Sequence, residues 1–412
     1  VKSTVTIDKD TANGPGSSAA HSYGRAIQNI GDVDGDGVVD IAVGADWQDD
    51  AKGAVYIHFL NADGSVKSTV TIKDGVTNAP DLTEGDRYGT DIANMGDLDG
   101  DGINDIAVGA DHDSSNGNDK GAVYIHYLNA DGSLKEDTVK IRHGTTNGPN
   151  ISGAGGYGNA VENIGDIDGD GVNDLAVGES NDGTTGGMGY LHIHLMNADE
   201  SIKSTNEINP SSSSDLPGDK SVTNGVHFAS AITNIGDQDR DGVIDIAVGA
   251  SMEGYWSDTD GNSGLDYQMG KGAVYILNMK NDGTVKESFR INEDTPNGPQ
   301  IWQGANAGSN QCCTGGGQFG SSIASADING DGKLEIIVGA PSDNTAGTYE
   351  GSMWIISYNG ARVPIPVNIT ESVSLTDSMT NQATIALTES LSLTDTTYGA
   401  FGQTHIFMTE SI

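Results

Sequence analysis

Clusters of acidic residues recur five times along this chain of 412 residues. The first lies at residues 32–40 and has carboxylates at positions 1, 3, 5 and 9, with glycines between them; the others start at Asp97, Asp166, Asp237 and Asp327. Alternate positions of a tight, glycine-rich turn point inward, so short carboxylates and a backbone carbonyl can converge on one cation. Charged, hard oxygen ligands favour calcium over zinc or copper, and magnesium requires a tighter octahedron.

The sequence therefore predicts about five calcium sites, each formed by four side chains and by the carbonyl oxygen of position 7. Solvated acidic turns without a cation are the alternative, and five copies in register argue against them. The predicted ligands, loop by loop, are Asp32, Asp34, Asp36, Val38 and Asp40; Asp97, Asp99, Asp101, Ile103 and Asp105; Asp166, Asp168, Asp170, Val172 and Asp174; Asp237, Asp239, Asp241, Val243 and Asp245; Asp327, Asn329, Asp331, Lys333 and Glu335.

Two of the five loops depart from the common pattern. The fourth has Arg240 where the others have glycine, which strains the turn if that position needs a positive φ. The fifth has Asn329 at position 3 and Glu335 at position 9, so it carries one charge fewer. We expect this fifth loop to bind a cation more weakly than the others.

Short strand-like segments surround each acidic loop and must position it. In the first repeat these are residues 24–30 before the loop, 41–44 directly after it, and then 53–59 and 66–72. An EF-hand would continue into a helix, whereas this loop continues into an apolar, β-like run. Four short strands per repeat and no helix of useful length predict an all-β fold, a β-propeller of four-stranded blades; an open stack of sheets is the alternative.

The beginning of the chain repeats a later segment. Residues 1–7 are identical to residues 66–72, the outer strand of the first complete repeat. If the ring closes within the chain, residues 1–7 would pair with the last blade near residues 353–357. Otherwise they belong to a further blade upstream, and the sequence leaves both arrangements open.

A pair of short motifs accompanies every acidic loop and resembles a known repeat. An aromatic residue and glycine precede the loop at Tyr23-Gly24, Tyr88-Gly89, Tyr157-Gly158 and Phe319-Gly320, with Phe228-Ala229 a looser match. A Gly-Ala-Pro element is complete at Gly339-Ala340-Pro341, shortened to Gly44-Ala45, Gly109-Ala110 and Gly249-Ala250, and altered to Gly178-Glu179. Together they resemble the FG-GAP repeats of the integrin α-subunit propeller and its prokaryotic relatives.

That resemblance covers residues 1 to about 360 and implies an extracellular adhesion or interaction module with calcium in the loops between blade strands. Integrin propellers have seven blades, whereas five repeats are visible here, which leaves the blade count open. We assign residues 1–360 to a calcium-binding FG-GAP propeller.

Residues 361–412 form a Ser/Thr-rich β-repeat tail, because Thr-Glu-Ser-Val-Ser-Leu-Thr-Asp at 370–377 returns at 388–395 as Thr-Glu-Ser-Leu-Ser-Leu-Thr-Asp. This tail resembles repeat arrays of microbial surface proteins, and we expect it to be truncated or involved in assembly; a flexible stalk is the alternative.

The charge of the chain limits which partners and which location we expect for the protein. Twenty Lys and Arg face 59 Asp and Glu, a net charge of −39, which disfavours nucleic acid and anionic membranes. No window approaches the roughly 20 apolar residues of a membrane-spanning helix. Calcium modules with affinities of about 10⁻⁴–10⁻³ M are typical outside cells, so we expect an extracellular or cell-surface protein.

Two classes of function fit these features. The first is a structural or adhesive surface protein, whose partners are other copies of itself, surface proteins or glycans. One form of this hypothesis is a filament or lattice subunit that exchanges residues 1–7 between copies. The second is a carbohydrate-binding or polysaccharide-active propeller, with Trp256 and Trp302 in the long insertions at residues 251–270 and 301–317. We recognise no catalytic constellation: His58, His126 and His194 recur with the blade, which favours a structural role. The neighbouring Cys312 and Cys313 are either free thiols or a strained disulfide.

Overall fold

A computed structural model describes most of the repeat region and three strands of the tail. It covers residues 4–343 apart from 17–21, 116–118, 152–154, 180–187, 209–215, 217–225, 254, 258–265, 269, 294, 296–297 and 300–316, and in addition 351–357, 365–367, 391–395 and 404–408.

The described strands form five four-stranded antiparallel meanders, one for each repeat. This confirms the predicted all-β propeller and gives the described part of the chain five blades, a number that the sequence had left open. The strands are β1 Ile27–Gly31, β2 Asp40–Gly44, β3 Ala54–Leu60 and β4 Val66–Lys73 in blade 1; β5 Tyr88–Gly96, β6 Asp105–Ala110, β7 Ala122–Leu128 and β8 Leu134–Arg142 in blade 2; β9 Tyr157–Gly165, β10 Asp174–Glu179, β11 Tyr190–Met196 and β12 Ile202–Ile208 in blade 3; β13 Phe228–Gly236, β14 Asp245–Ala250, β17 Ala273–Met279 and β18 Val285–Ile291 in blade 4; and β19 Ser322–Ala326, β20 Glu335–Ala340, β21 Ser352–Ser357 and β22 Ile365–Val367 in blade 5.

A few elements lie outside the meanders. The hairpin of β15 Tyr255–Ser257 and β16 Asp266–Gln268 is part of the insertion at residues 251–270, and the tail contains a second hairpin, β23 Leu391–Asp395 with β24 Thr404–Met408. The short element α1 Gln48–Ala51 has left-handed φ angles at Asp49 and Asp50, so it is a turn rather than a helix core. In the described part of the chain, no helix has the length and apolar character needed to cross a membrane.

Burial follows the position of each strand within its blade. Every residue of β7 is buried, because a third strand packs on a neighbouring blade through both of its faces. The outer strand β4 is buried only at its two ends and is otherwise exposed or half-buried. The first strands lie innermost, and Gln28, Asn94 and Glu162 help to line an axial cavity of about 480 Å³ that all five blades share.

The glycines of the two short motifs allow neighbouring blades to approach through their backbones. A Cβ atom added to Gly44 of blade 1 would lie 2.1 Å from the carbonyl oxygen of Gly89 in blade 2. Gly89 itself has a φ of +90°, and a Cβ there would lie 2.6 Å from the carbonyl oxygen of Ala54. Both glycines are therefore required by the distance between blades, which gives the repeated motif its physical basis.

A bulge shapes the inner strand of four blades. The Asn29 side chain accepts a hydrogen bond from the Gly31 amide (2.9 Å), and the β1–β2 register shifts between these residues. In blade 2, Asn94 does the same and also donates to the Asn29 carbonyl (3.0 Å), which links the two inner strands. Blade 5 has no register shift between β19 and β20, and Ser325 donates instead to the Asn234 carbonyl (2.6 Å).

The two terminal blades each keep one face uncovered. Ile27 of blade 1 is 67% exposed, whereas the equivalent Ile92 of blade 2 is 3% exposed. Met353 of blade 5 is 54% exposed, whereas the equivalent Val123 is fully buried. A Cβ added to Gly24 would meet nothing within 4 Å, unlike one added to Gly89.

The start of the chain follows the course of a blade-to-blade linker. The side chain of Asn13 donates to the Lys67 carbonyl (3.1 Å), as Asn78 does to the Leu134 carbonyl one blade later (3.0 Å). Residues 4–7 form no strand, and β21 pairs with β22. The described residues therefore do not pair the start of the chain with the last blade, which was one of the two arrangements left open above. The strand β22 lies in the segment that the sequence assigns to the tail.

Candidate metal centres

The first carboxylate of each acidic loop closes the turn by accepting backbone amides. In blade 2, Asp97 accepts the amide of Asp101 through Oδ1 (3.0 Å) and the amide of Gly102 through Oδ2 (2.8 Å). The same two bonds, from positions 5 and 6, occur in all five loops at 2.8–3.1 Å. These bonds from its own backbone amides therefore help to hold the conformation of each loop.

The carboxylates at the other predicted positions converge in four of the loops. The amide of Ile103 donates to Asp101 Oδ1 (2.9 Å), and the position-7 amides of the other loops do the same at 2.9–3.0 Å. In each of four loops, three carboxylates place oxygen atoms within 4.8 Å of one another. These groups are Asp32, Asp34 and Asp36; Asp97, Asp99 and Asp101; Asp166, Asp168 and Asp174; and Asp237, Asp239 and Asp245.

The carboxylate at position 9 has a structural role that the sequence did not reveal. Asp105 is fully buried and accepts the amide of Leu98 (2.8 Å) and the amide of Leu128 (2.9 Å), which joins the loop to the end of the third strand. Asp40, Asp174 and Asp245 make the equivalent pairs of bonds. Burial raises the pKa of Asp105 to about 6 and that of Asp245 to about 7.

A lysine from the outer strand reaches every one of the first four loops. The Lys67 ammonium group contacts the carboxylates of Asp34 and Asp36, at positions 3 and 5 of the first loop. Lys135, Lys203 and Lys286 do the same in blades 2 to 4, and all eight Nζ–Oδ2 distances lie between 2.5 and 2.9 Å. These hydrogen bonds raise the pKa of Lys67 and lower that of Asp36. Sequence reasoning missed this contact, although a lysine is the second residue of the outer strand in each of the first four blades.

The fifth loop has a different arrangement. The Asn329 amide nitrogen donates to Glu335 Oε1 (2.9 Å) and to Asp331 Oδ2 (3.2 Å). In this loop a neutral amide at position 3 donates to the carboxylates at positions 5 and 9, whereas in the other loops an ammonium group contacts the carboxylates at positions 3 and 5. The described part of the outer strand of this blade, Ile365–Val367, contains no lysine.

The comparisons with known proteins agree with this repeated architecture. The profile of the FG-GAP repeat family matches residues 24–58, 89–126 and 319–356, which lie in blades 1, 2 and 5. The chain contains FG-GAP repeats. Blades 3 and 4 lie between the matched segments and have the same four-stranded sheets as the matched FG-GAP blades.

The curated relatives of this FG-GAP protein include integrin alpha chains. Integrin alpha-PS5 of Drosophila melanogaster is 33% identical over 153 residues, which are 36% of this chain and 14% of that protein. Integrin alpha-4 of Xenopus laevis is 32% identical over 159 residues, 38% of this chain and 14% of that protein. Integrin alpha-6 of Gallus gallus is 38% identical over 165 residues, 40% of this chain and 13% of that protein. The match thus spans about one seventh of the length of these relatives.

The loops of this FG-GAP protein are suited to a divalent cation. Their converging side chains offer only oxygen atoms, which are the ligands of hard cations. In each of the first four loops, the ammonium group of one lysine lies against two of these carboxylates, so a positive charge can be accommodated there. Ligation by the position-7 carbonyl groups stays a prediction.

The strain predicted at Arg240 is present. Arg240 has a φ of +66°, close to the +72° of Gly35 and the +79° of Gly100 at the same loop position. A Cβ at Gly100 would meet nothing within 4 Å, so the cost of a side chain at this position lies in the backbone conformation alone.

The recurring histidines of the FG-GAP blades form buried hydrogen-bond chains, as expected for a structural role. Nε2 of His126 lies 2.8 Å from the Tyr88 hydroxyl, and its Nδ1 lies 3.2 Å from Thr138 Oγ1. His58 and His194 have the same tyrosine and threonine partners in blades 1 and 3. Burial lowers the pKa of His58 to about 4 and that of His126 to about 3.

Several further residues singled out in the sequence lie where no side chain is described. Cys312, Cys313 and Trp302 are outside the described residues, and Trp256 is described only as part of strand β15. An aromatic residue that the sequence did not suggest is Trp47, which is 51% exposed beside a cavity of about 940 Å³. The Arg87 guanidinium lies 4.9 Å from the centre of its ring.

Proposed function

We propose that this chain is a calcium-stabilised adhesion or structural module of the cell surface. The observation that carries the proposal is the recurrence of converging carboxylates at the same turn of four consecutive blades. A solvated acidic turn has no reason to repeat such convergence in register. The integrin alpha chains among the relatives support a surface role for the propeller.

Calcium would be held by the carboxylates at positions 1, 3, 5 and 9 and by the position-7 carbonyl, which makes about five sites with the fifth the weakest. A bound cation neutralises the mutual repulsion of the carboxylates and joins the loop to the two strands that flank it. Because only the folded loop brings these oxygens together, binding stabilises the native state, by about 2.7 kcal/mol per site when calcium is ~100-fold above Kd. The buried Asp105 holds the loop in place through Leu98 and Leu128.

An extracellular location follows from the same chemistry. Sites with affinities of about 10⁻⁴–10⁻³ M fill only where calcium is abundant, as it is outside cells. The net charge of −39 is consistent with divalent cations as counter-ions and disfavours nucleic acid as a partner.

Self-association is the finer part of the proposal. The uncovered face of blade 1, with Ile27, and the uncovered face of blade 5, with Met353, are the two halves of the interface that joins blades inside the chain. We propose that copies join through these faces, with residues 1–7 as an exchanged strand, into a filament or lattice; burying one large apolar side chain contributes about 1.5–3 kcal/mol. The tail at residues 361–412 would extend this assembly.

A carbohydrate-binding role is the second candidate, and Trp47 is the observation that favours it. Its exposed ring and the polar groups of Asp49, Glu84 and His112 line one wide cavity. Saccharides bind by stacking on aromatic rings and by hydrogen bonds to such groups. Loss of glycan binding in Trp47→Ala, in a protein that binds calcium normally, would support this role. We propose binding rather than catalysis, since the recurring histidines are engaged in buried hydrogen bonds.

The calcium proposal is tested by titration calorimetry of the full chain with calcium chloride. The wild type should bind about five equivalents, and the double variant Asp99→Asn/Asp101→Asn should bind one fewer. The matched control is Asp63→Asn/Asp131→Asn, which alters two exposed turn aspartates outside the loops that bond Ser65 and Ser133. No calcium uptake by the wild type would refute the proposal.

A further inference from the structure

The lysine that reaches each of the first four loops lies where a cation site and the outer strand meet. Lys67 is the second residue of β4, and its side chain crosses to the loop between β1 and β2 of the same blade. Lys135, Lys203 and Lys286 repeat this arrangement in the next three blades. Four identical contacts in register argue against a chance surface ion pair.

The lysine contacts the carboxylates at positions 3 and 5 of its loop. Asp34 and Asp36 each use Oδ1 to accept a backbone amide and offer Oδ2 to Lys67. The lysine therefore takes the acceptor capacity that the loop backbone leaves free. In the absence of a divalent cation, its charge offsets part of the repulsion among four carboxylates.

The fifth loop shows the complementary change. It has three carboxylates instead of four, because position 3 is Asn329, and the described part of its outer strand, Ile365–Val367, contains no lysine. In each of the first three loops, four carboxylates with one strand lysine have a formal charge of −3. The fifth loop has three carboxylates and a lysine of its own, Lys333 at position 7, so fewer acids occur there together with a cation in the loop itself.

From the four repeated contacts we infer that the outer-strand lysines are tethered counter-ions that weaken divalent-cation binding and keep the empty loops folded. The inference rests on the proposed calcium sites. A positive charge a few ångströms from a bound divalent cation repels it, and exposure of the lysines screens this effect to about a three- to tenfold loss of affinity per site. The same charge stabilises the loop when no divalent cation is bound.

These two effects have opposite signs, which distinguishes a tethered counter-ion from an ordinary salt bridge. Removal of an ordinary salt bridge lowers the melting temperature under all conditions. Removal of a tethered counter-ion should lower it in chelator but leave it equal or higher in millimolar calcium. The affinity for calcium should rise.

The test uses the full chain with Lys67→Met and Lys135→Met as single variants and with all four lysines changed to Met together. Lys73→Met is the matched control, because Lys73 lies on the same strand as Lys67 and pairs with Asp49 away from the loop. Calcium titration calorimetry gives the affinities, and calorimetric melting in calcium and in EDTA gives the stabilities. We expect about three- to tenfold tighter binding at each altered loop, a lower melting temperature in EDTA only, and unchanged calcium binding in Lys73→Met.

Two results would overturn the inference, and they are distinguishable. If the wild type binds calcium and the lysine variants bind it equally or more weakly, the lysines do not attenuate the sites although the proposed function stands. If the wild type takes up no calcium, the proposed function fails and the inference fails with it. The single variants give the answer even if the fourfold variant does not fold.

Discussion

The hydroxyl of Tyr88 lies 2.8 Å from Nε2 of His126, and both side chains are fully buried. The tyrosine belongs to the inner strand of blade 2 and the histidine to the third strand of the same blade. Blades 1 and 3 contain the same pair, whereas blades 4 and 5 have Phe228 and Phe319 with Leu277 and Ile356 at the corresponding positions. The pair therefore changes as a unit between polar and apolar versions.

Replacing His126 should make stability less dependent on pH. The folded pKa of His126 is lowered to about 3 by burial, so the histidine contributes stability above its unfolded pKa of about 6.5 that is lost as the pH falls below it. Between about pH 6 and 4 the free energy of unfolding should fall by about 1.4 kcal/mol per pH unit more in the wild type than in His126→Gln. Chemical denaturation over this range gives both slopes.

The comparison with the variant is needed because other buried groups act in the opposite direction. Burial raises the pKa of Asp91 to about 6 and that of Glu162 to about 7, so their contributions grow as the pH falls. The difference between the two proteins isolates the histidine. Parallel slopes would show that His126 can be protonated inside the fold.

Arg240→Gly should stabilise the protein. A non-glycine residue at a φ of +66° costs about 1–2 kcal/mol, and the greater unfolded entropy of glycine offsets part of this, which leaves a gain of about 0.5–1 kcal/mol. Gly100→Arg is the reciprocal variant and should lose a similar amount, since that position has space for a Cβ. Denaturant unfolding in calcium measures both. Equal stabilities of Arg240→Gly and the wild type would refute the strain.

Asn329→Asp should strengthen the weakest of the proposed sites. The change removes an amide that donates to Asp331 and Glu335 and adds a fourth carboxylate to the loop. We expect about tenfold tighter calcium binding at the fifth loop and a lower melting temperature in chelator. Asn329→Ser is the control, because it removes the amide without adding charge. Unchanged calorimetric titration of Asn329→Asp would contradict the assignment of the fifth loop.

Head-to-tail association should depend on Ile27 and Met353. Ile27→Glu and Met353→Glu each place a charge on one exposed terminal face, so each variant alone should be monomeric at concentrations where the wild type associates. A mixture of the two should form a dimer, because each retains the face that the other has lost. Sedimentation velocity measures the masses. A wild type that is monomeric throughout would refute the association.

Much of the fold could be predicted because the same strand-like segments and acidic loop follow one another in the same order in each of the five repeats. The strands of the structure lie within a few residues of the predicted segments. Periodicity could not show which backbone atoms meet across blades, so the reason for Gly44 and Gly89 emerged only from their spatial contact. It also could not show that β22 joins the last blade, because this strand is separated from the repeat pattern by a change in composition.

The position of the acidic loops could be predicted from the sequence, whereas the contacts that surround their carboxylates could not. The spacing of the aspartates identified the loops, whereas Lys67 lies 33 residues from Asp34 and is brought to it only by the meander. A signal was present, since each of the first four repeats has a lysine just after the turn that precedes its outer strand. The double role of Asp105 could not be predicted, because its amide partners come from two separate segments of backbone.

The most direct test of the proposed function is calorimetric melting of the full chain in millimolar calcium and again in EDTA. Because only the folded loops bring their carboxylates together, the melting temperature should be higher in calcium and should rise further with the logarithm of its concentration. Equal concentrations of magnesium should produce a smaller rise. Identical melting temperatures in calcium and in EDTA would contradict a calcium-stabilised propeller.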